Sequence, residues 1–255
     1  MEPYYYQTLS KAEQSSYQAM QAGLQAFAPS FPVPLLENRA LTDVFMKLRL
    51  DCPQLFYAGT FQYRYYPDSR NAELIPAYLF EKGKLKEHQK ALQARVEKLV
   101  RPVAKCGDEE KLLYIHDFIC KNVRYDKLKK QYSHEIIGVL GHGVGVCEGI
   151  AKAVKILCDA LQIQCIIALA ENNPEKGVKY RHAWNVVRLD KKYYHLDCTF
   201  DLSLGNPEEI RYDYFLLSDK QIFRDHERLV WRVPACEDAD RFYYKKKKLS
   251  FTMTE

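Results

Sequence analysis

The stretch Gly143-Val-Gly-Val-Cys-Glu-Gly149 decides how the rest of this chain is read, because a glycine-flanked cysteine stands where a long apolar segment begins. From Cys147 to about Leu161 the polar residues Glu148, Lys152, Lys155 and Asp159 form one narrow stripe at spacings of four, three and four. That spacing predicts a helix buried on most of its circumference, the central helix of the fold. The first amides of a helix have no partners inside it and the dipole is positive there, so a thiolate at Cys147 is favoured over a thiol. The same amides can hold an oxyanion. Gly143, Gly145 and Gly149 supply the backbone freedom for a tight turn into the helix and for close approach of a substrate carbonyl. Taken alone the motif is weak, since cysteine is among the most buried residue types and glycine marks many ordinary turns.

The downstream residues strengthen it. Ile163 to Ala170 reads as a buried strand, Asn172-Asn-Pro-Glu-Lys-Gly177 as a turn, and Lys179 to Leu189 with Lys192 to Phe200 as two strands joined around Asp190-Lys191. A helix followed by antiparallel strands predicts an α+β architecture. Thiol catalysis needs a base near the sulfur and a group that orients the base. His182 lies 35 residues after Cys147 and Asp197 lies 15 further on, in neighbouring strands where a hairpin can bring the two side chains together. Strand alternation puts Asp197 on one face with His195 and Thr199, so Asp197 is expected to serve His182, and Asp201 to cap or bridge backbone nearby. His195 is the rival base, read here as a supporting contact. Trp184, two residues from His182, is placed either along a substrate cleft or over the sheet.

Upstream, Ser10-Lys-Ala-Glu13 has the form of a capping box, and Tyr17, Met20, Leu24 and Phe27 recur at helical spacing until Pro29. Phe31-Pro-Val-Pro34 reads as a turn, Leu41 to Leu50 as a second helix, and the aromatic and β-branched run from Leu55 to Phe80 as a small sheet. Lys84 to Lys105 is helical until Pro102 ends it near Arg101. Asp108 then caps a helix to about Lys121, with Leu112, Ile115, Phe118 and Ile119 inward.

The 255 residues are 47% hydrophobic and 28% charged, enough for a core and incompatible with disorder. A formal charge of +5 is mild, so no nucleic-acid partner is expected, and the run Lys245 to Lys248 reads as a solvated tail or a lysine-guarded edge strand. The start, Met1-Glu-Pro-Tyr-Tyr-Tyr6, lacks the basic and apolar regions of a signal peptide, and no stretch reaches the length of a membrane span. A cytoplasmic protein is expected, its eight scattered cysteines reduced. No close Cys-x-x-Cys or His-x-x-x-His pair seeds a metal site, and neither metal nor organic cofactor is expected. Three regions are expected: an N-terminal α+β extension over 1–106, a core over 107–235, and a basic tail or edge strand over 236–255.

Three motifs occur in order: the helix start Gly145-Val-Cys-Glu-Gly149, then Arg181-His-Ala-Trp-Asn-Val-Val187, then Tyr193-Tyr-His-Leu-Asp-Cys-Thr-Phe-Asp201. Over about residues 110–225 they resemble the transglutaminase-like superfamily of papain-type folds. Asp51-Cys-Pro-Gln-Leu-Phe56, Ile115-His-Asp-Phe-Ile119 and Tyr212-Asp-Tyr-Phe-Leu-Leu-Ser-Asp219 are similar to flanking segments of bacterial members. The resemblance implies a central helix starting at the cysteine and packed on an antiparallel sheet. It also implies Cys147 as nucleophile, His182 as base and acid, and Asp197 as the group orienting His182. The implied activity is a cysteine-dependent amide hydrolase or acyltransferase of protease, deamidase or transglutaminase type, acting through a thioester on a protein or peptide. The alternative is a non-catalytic interaction module that keeps the fold. Glu148, where several members carry glutamine or another residue, is a departure that bears on cleft polarity.

Overall fold

In the computed structural model, which describes residues 2–205, 208–239 and 241, the chain divides into two compact units between Ala91 and Leu92. The first unit opens with a short helix, α1 (Tyr4–Gln7), that no local signal announces. Its cap comes from far along the chain: the Tyr5 and Tyr6 amides donate to the Asp51 carboxylate at 3.1 and 3.0 Å. In α2 (Lys11–Gln25) the expected capping box is complete, with the Glu13 amide on Ser10 Oγ at 3.4 Å and the Ser10 amide on the Glu13 carboxylate at 2.8 Å.

The proline-rich segment expected to be a turn is instead a strand, β1 (Phe31–Pro34). After α3 (Asn38–Asp51), the strands β2 (Ala58–Tyr65) and β3 (Asn71–Tyr78) complete a three-stranded antiparallel sheet in the order β1-β3-β2. An edge strand pairs along one side only, which is where a sheet tolerates proline, and Phe31 and Val33 supply the buried alternate positions. Helix α4 (Lys82–Val100) contains the division between the units and ends, as expected, in a tight turn at Pro102.

In the second unit α5 (Asp108–Asn122) is capped by Gly107 and not by Asp108: the Gly107 amide donates to the Glu110 carboxylate at 3.2 Å, so Asp108 is already helical. Leu112, Ile115 and Ile119 are buried as expected, but Phe118 is half-exposed with the Arg95 guanidinium 5.7 Å from its ring centre, and His116 and Cys120 take the inner positions. The two short strands β4 (Arg124–Tyr125) and β5 (Val144–Gly145) pair in parallel and lead the chain to α6 (Cys147–Ala160). Then follow β6 (Cys165–Ala170), β7 (His182–Leu189), β8 (Lys192–Leu196), α7 (Cys198–Leu204), β9 (Phe215–Leu217) and α8 (Asp219–Ile222). The sheet order is β6-β7-β8-β9 with every neighbour antiparallel. Asp190 and Lys191, both at positive φ (49° and 68°), make the tight β7–β8 turn that the sequence predicts. Helix α6 packs on this sheet, and Asn185 of β7 donates to the Ala151 carbonyl at 2.9 Å across the contact. The expected α+β core, a central helix beginning at the cysteine and lying on an antiparallel sheet, is the observed one.

The polar stripe of α6 is a buried ion-pair seam. Lys152, 0% exposed, places Nζ 2.9 Å from both Glu135 oxygens, 2.8 Å from Glu148 and 3.2 Å from the His134 carbonyl. Lys155 donates to the Cys165 carbonyl at 2.9 Å and pairs with Asp159. Removing one member of a buried pair strands the other charge, which typically costs about 3–5 kcal/mol. Lys152→Met is therefore expected to lower unfolding stability by about that amount in urea titrations, and adding Glu135→Gln is expected to restore part of it.

Among the described residues no helix is long and apolar enough to cross a membrane. The run Lys245 to Lys248, read above as tail or edge strand, lies outside the described residues.

Candidate active site

Cys147 is the first residue of α6, and its predecessor Val146, extended at φ −92° and ψ 174°, caps the helix with no side-chain hydrogen bond. The first amides therefore face outward without a side-chain acceptor from the cap. Gly143, at φ +65°, makes the turn that leads there. Gly149 serves a different purpose from the one its spacing suggested: a Cβ there would stand 2.2 Å from the Ser133 carbonyl oxygen. The same oxygen accepts from the Val146 amide at 3.0 Å, so the glycine admits a loop backbone that braces the cysteine turn. Asp126 holds that loop by accepting from the Leu128 and Lys130 amides at 3.0 Å each and from the Ser133 hydroxyl. Tyr125, just before it, lies close enough to Cys147 that the thiol adds to burial in raising the phenol's pKa. Cys147 and Cys106 are half-buried, and the other six cysteines are buried.

His182 opens β7, and its partner arrives by a route that strand alternation did not predict. The strand expected to run to Phe200 stops at Leu196, and Asp197 is the N-cap of α7. Its Oδ1 accepts from the Thr199 and Phe200 amides at 2.8 and 3.1 Å, which turns Oδ2 toward His182. His182 Nε2–H donates to that oxygen at 2.6 Å. Burial works against a charged His182, but attraction to Asp197 and hydrogen bonds with Asp197 and Cys147 outweigh it and push its pKa up to about 10. Burial likewise opposes ionised Asp197, yet His182 and His226 hold its carboxyl far below the usual range. Asp201, one helical turn on, accepts from the Tyr214 amide at 3.1 Å and lies 3.0 Å from His116 Nε2. Burial pushes its pKa up to about 6.

His226 escaped the sequence reading. It lies after the last motif, and no spacing rule ties it to Asp197; an Asp225-His226 pair in a polar stretch is its only trace. Its Nε2–H donates to Asp197 Oδ2 at 2.9 Å and Nδ1 lies 2.7 Å from Asp225 Oδ1. A cavity of about 630 Å³ opens beside it, with Lys176, Phe223, Arg228 and Arg232 in its wall.

Trp184, expected either along a substrate cleft or over the sheet, is 1% exposed and so offers no open surface. Its ring stacks on His182 at 5.8 Å and 17°, and its indole N–H donates to His195 Nδ1 at 2.9 Å. His195, the rival base, donates through Nε2–H to Asp219 at 2.7 Å, and burial outweighs that carboxylate to lower its pKa. The ring is thus held neutral, with both nitrogens engaged beneath Trp184.

Among the described residues, two groups bring possible metal-ligand atoms within 4.8 Å of one another: His182, Asp197 and His226, and His195, Asp219 and Cys236. In the second, the indole N–H occupies His195 Nδ1, so a cation on Nε2 would need an imidazolate, a poor fit at neutral pH. In the first, each imidazole nitrogen on Asp197 already satisfies the carboxylate as a donor.

Residues 93–198 match the family model of the transglutaminase-like superfamily. No curated protein matches the chain. Among solved structures, a TGase crystal structure aligns at 12% identity and a TM-score of 0.36, over 67% of this chain and 50% of that one. A proposed cysteine protease of Cytophaga hutchinsonii aligns at 16% identity and 0.35, over 55% and 61% respectively. A proposed protease of Parabacteroides distasonis aligns at 16% identity and 0.33, over 55% and 36%. The chain thus spans less than two thirds of each of these proteins. The matched residues 93–198, which hold Cys147, His182 and Asp197, are thus similar to the transglutaminase-like superfamily.

Proposed function

We propose that the chain is a cysteine-dependent amide hydrolase or acyltransferase that works on a protein or peptide through a thioester. The observation that supports this best is the setting of His182, with Asp197 at 2.6 Å on Nε2 and Cys147 near enough to help raise its pKa. With Nε2 engaged by Asp197, Nδ1 is the nitrogen left for the sulfur. His182 takes the thiol proton, and the thiolate at the α6 start attacks the substrate carbonyl carbon. The oxyanion that forms meets the first amides of the helix. As the tetrahedral intermediate collapses, the C–N bond breaks and His182 gives its proton to the leaving amine, leaving an acyl group on Cys147. Water or a second amine, deprotonated by the same imidazole, then releases the acyl group. Asp197 fixes the His182 tautomer and stabilises the imidazolium, and Trp184 is a platform beneath the ring, not a substrate contact. The exposed Tyr125, close enough to Cys147 to feel its charge, suits a side chain of a peptide. Turnover of an amide-substrate library by the native protein and by Cys147→Ala tests the reading.

A further inference from the structure

Two imidazoles converge on one carboxylate oxygen beside the thiol, and the proposed thioester chemistry needs only one of them. Asp197 Oδ2 accepts from His182 at 2.6 Å and from His226 at 2.9 Å. Oδ1 is anchored independently by the Thr199 and Phe200 amides. The backbone therefore aims the carboxylate with or without His226. What a second N–H donor does to a shared oxygen is draw charge from it and loosen its hold on the first imidazolium. Every group facing His226 fits this arrangement. Trp184, Phe200 and Tyr214 surround its ring at 4.9, 4.5 and 5.5 Å, and Asp225 engages Nδ1. Asp225 itself accepts from the Tyr214 hydroxyl, and His195 lies near enough to feel the charge of His226. Asp201 adds a like charge near Asp197.

We propose that His226 acts on His182 through the shared Asp197 oxygen and keeps the imidazolium able to give up its proton to the leaving amine. This rests on the function proposed above. His226 touches neither the thiol nor the reacting atoms and is a positioning residue for the proton. Without it Asp197 would be devoted to His182, the imidazolium would be a weaker acid, and leaving-group protonation would slow.

Iodoacetamide alkylation of Cys147 across pH reads the pair without any substrate. A thiolate paired with imidazolium reacts at an acidic plateau and reacts faster once His182 loses its proton, so the upper step reports that proton. His226→Phe keeps a ring inside the aromatic cage and removes the donor to Asp197. Its upper step is expected to move up by roughly one pH unit, and kcat on a working amide substrate to fall about tenfold with KM little changed. His226→Gln, which returns an N–H to the oxygen, is expected to bring both back toward the native values. If His226→Phe does not unfold cooperatively, His226→Met is read in its place. An upper step that stays put when the donor is removed overturns this inference and leaves the thiol reading standing. A native profile with one ordinary thiol step overturns both.

Discussion

Cys147→Ala is expected to abolish the proposed amide turnover and to leave the thermal unfolding transition in place. The change removes one half-buried sulfur at the start of α6 and opens no core cavity, so a stability loss of about 1 kcal/mol or less is expected. The turn that holds the residue does not depend on the sulfur. Gly143 sets its direction, and the Ser133 carbonyl braces it through the Val146 amide at 3.0 Å. Loss of a nucleophile that works as a unit with its base lowers kcat by about a million-fold. Calorimetry and turnover measured on one preparation separate the two effects. A variant that loses its unfolding transition marks Cys147 as a structural residue.

Asp197→Asn has the second largest expected effect, a fall in kcat of about ten-thousand-fold. Asparagine caps helices as well as aspartate does, so α7 keeps its start and the amides of Thr199 and Phe200 keep an acceptor. What is lost is the charge between His182 and His226. A neutral amide neither stabilises imidazolium nor enforces the tautomer that leaves Nδ1 for the sulfur. Asp201→Asn is the control, because Asp201 serves His116 and the Tyr214 amide. It is expected to lower stability and leave turnover within a few-fold. Equal losses of turnover in the two variants would remove the special place given to Asp197.

The features legible in sequence were those written within a few residues of themselves. The Ser10-Glu13 capping box, the apolar wrap of α6 and the Asp190-Lys191 hairpin are local, and the structure holds all three. Long-range partners were not legible. Helix α1 exists because Asp51 caps it from 46 residues away. The segment Phe31-Pro-Val-Pro34 is a strand because β3 offers it an edge. The site divides the same way. Cys147, His182 and Asp197 are marked by motif, but alternation misjudged how Asp197 is presented, since the strand ends at Leu196, just before the acid, which caps a helix. His226 and the buried Trp184–His195–Asp219 chain depend on the return of the segment after β9, which no periodicity encodes.

The central claim is that Cys147 is chemically distinct from the other cysteines, and the most direct measurement is iodoacetamide mapping of the folded protein at neutral pH. Cys106 is the internal control, because it is half-buried like Cys147 but lacks a described imidazole partner. If exposure alone governed labelling, the two would react at similar rates. Cys147 is expected to label first, well ahead of Cys106, and to lose that lead in His182→Ala. Cys106 labelling first while Cys147 stays inert would contradict the account.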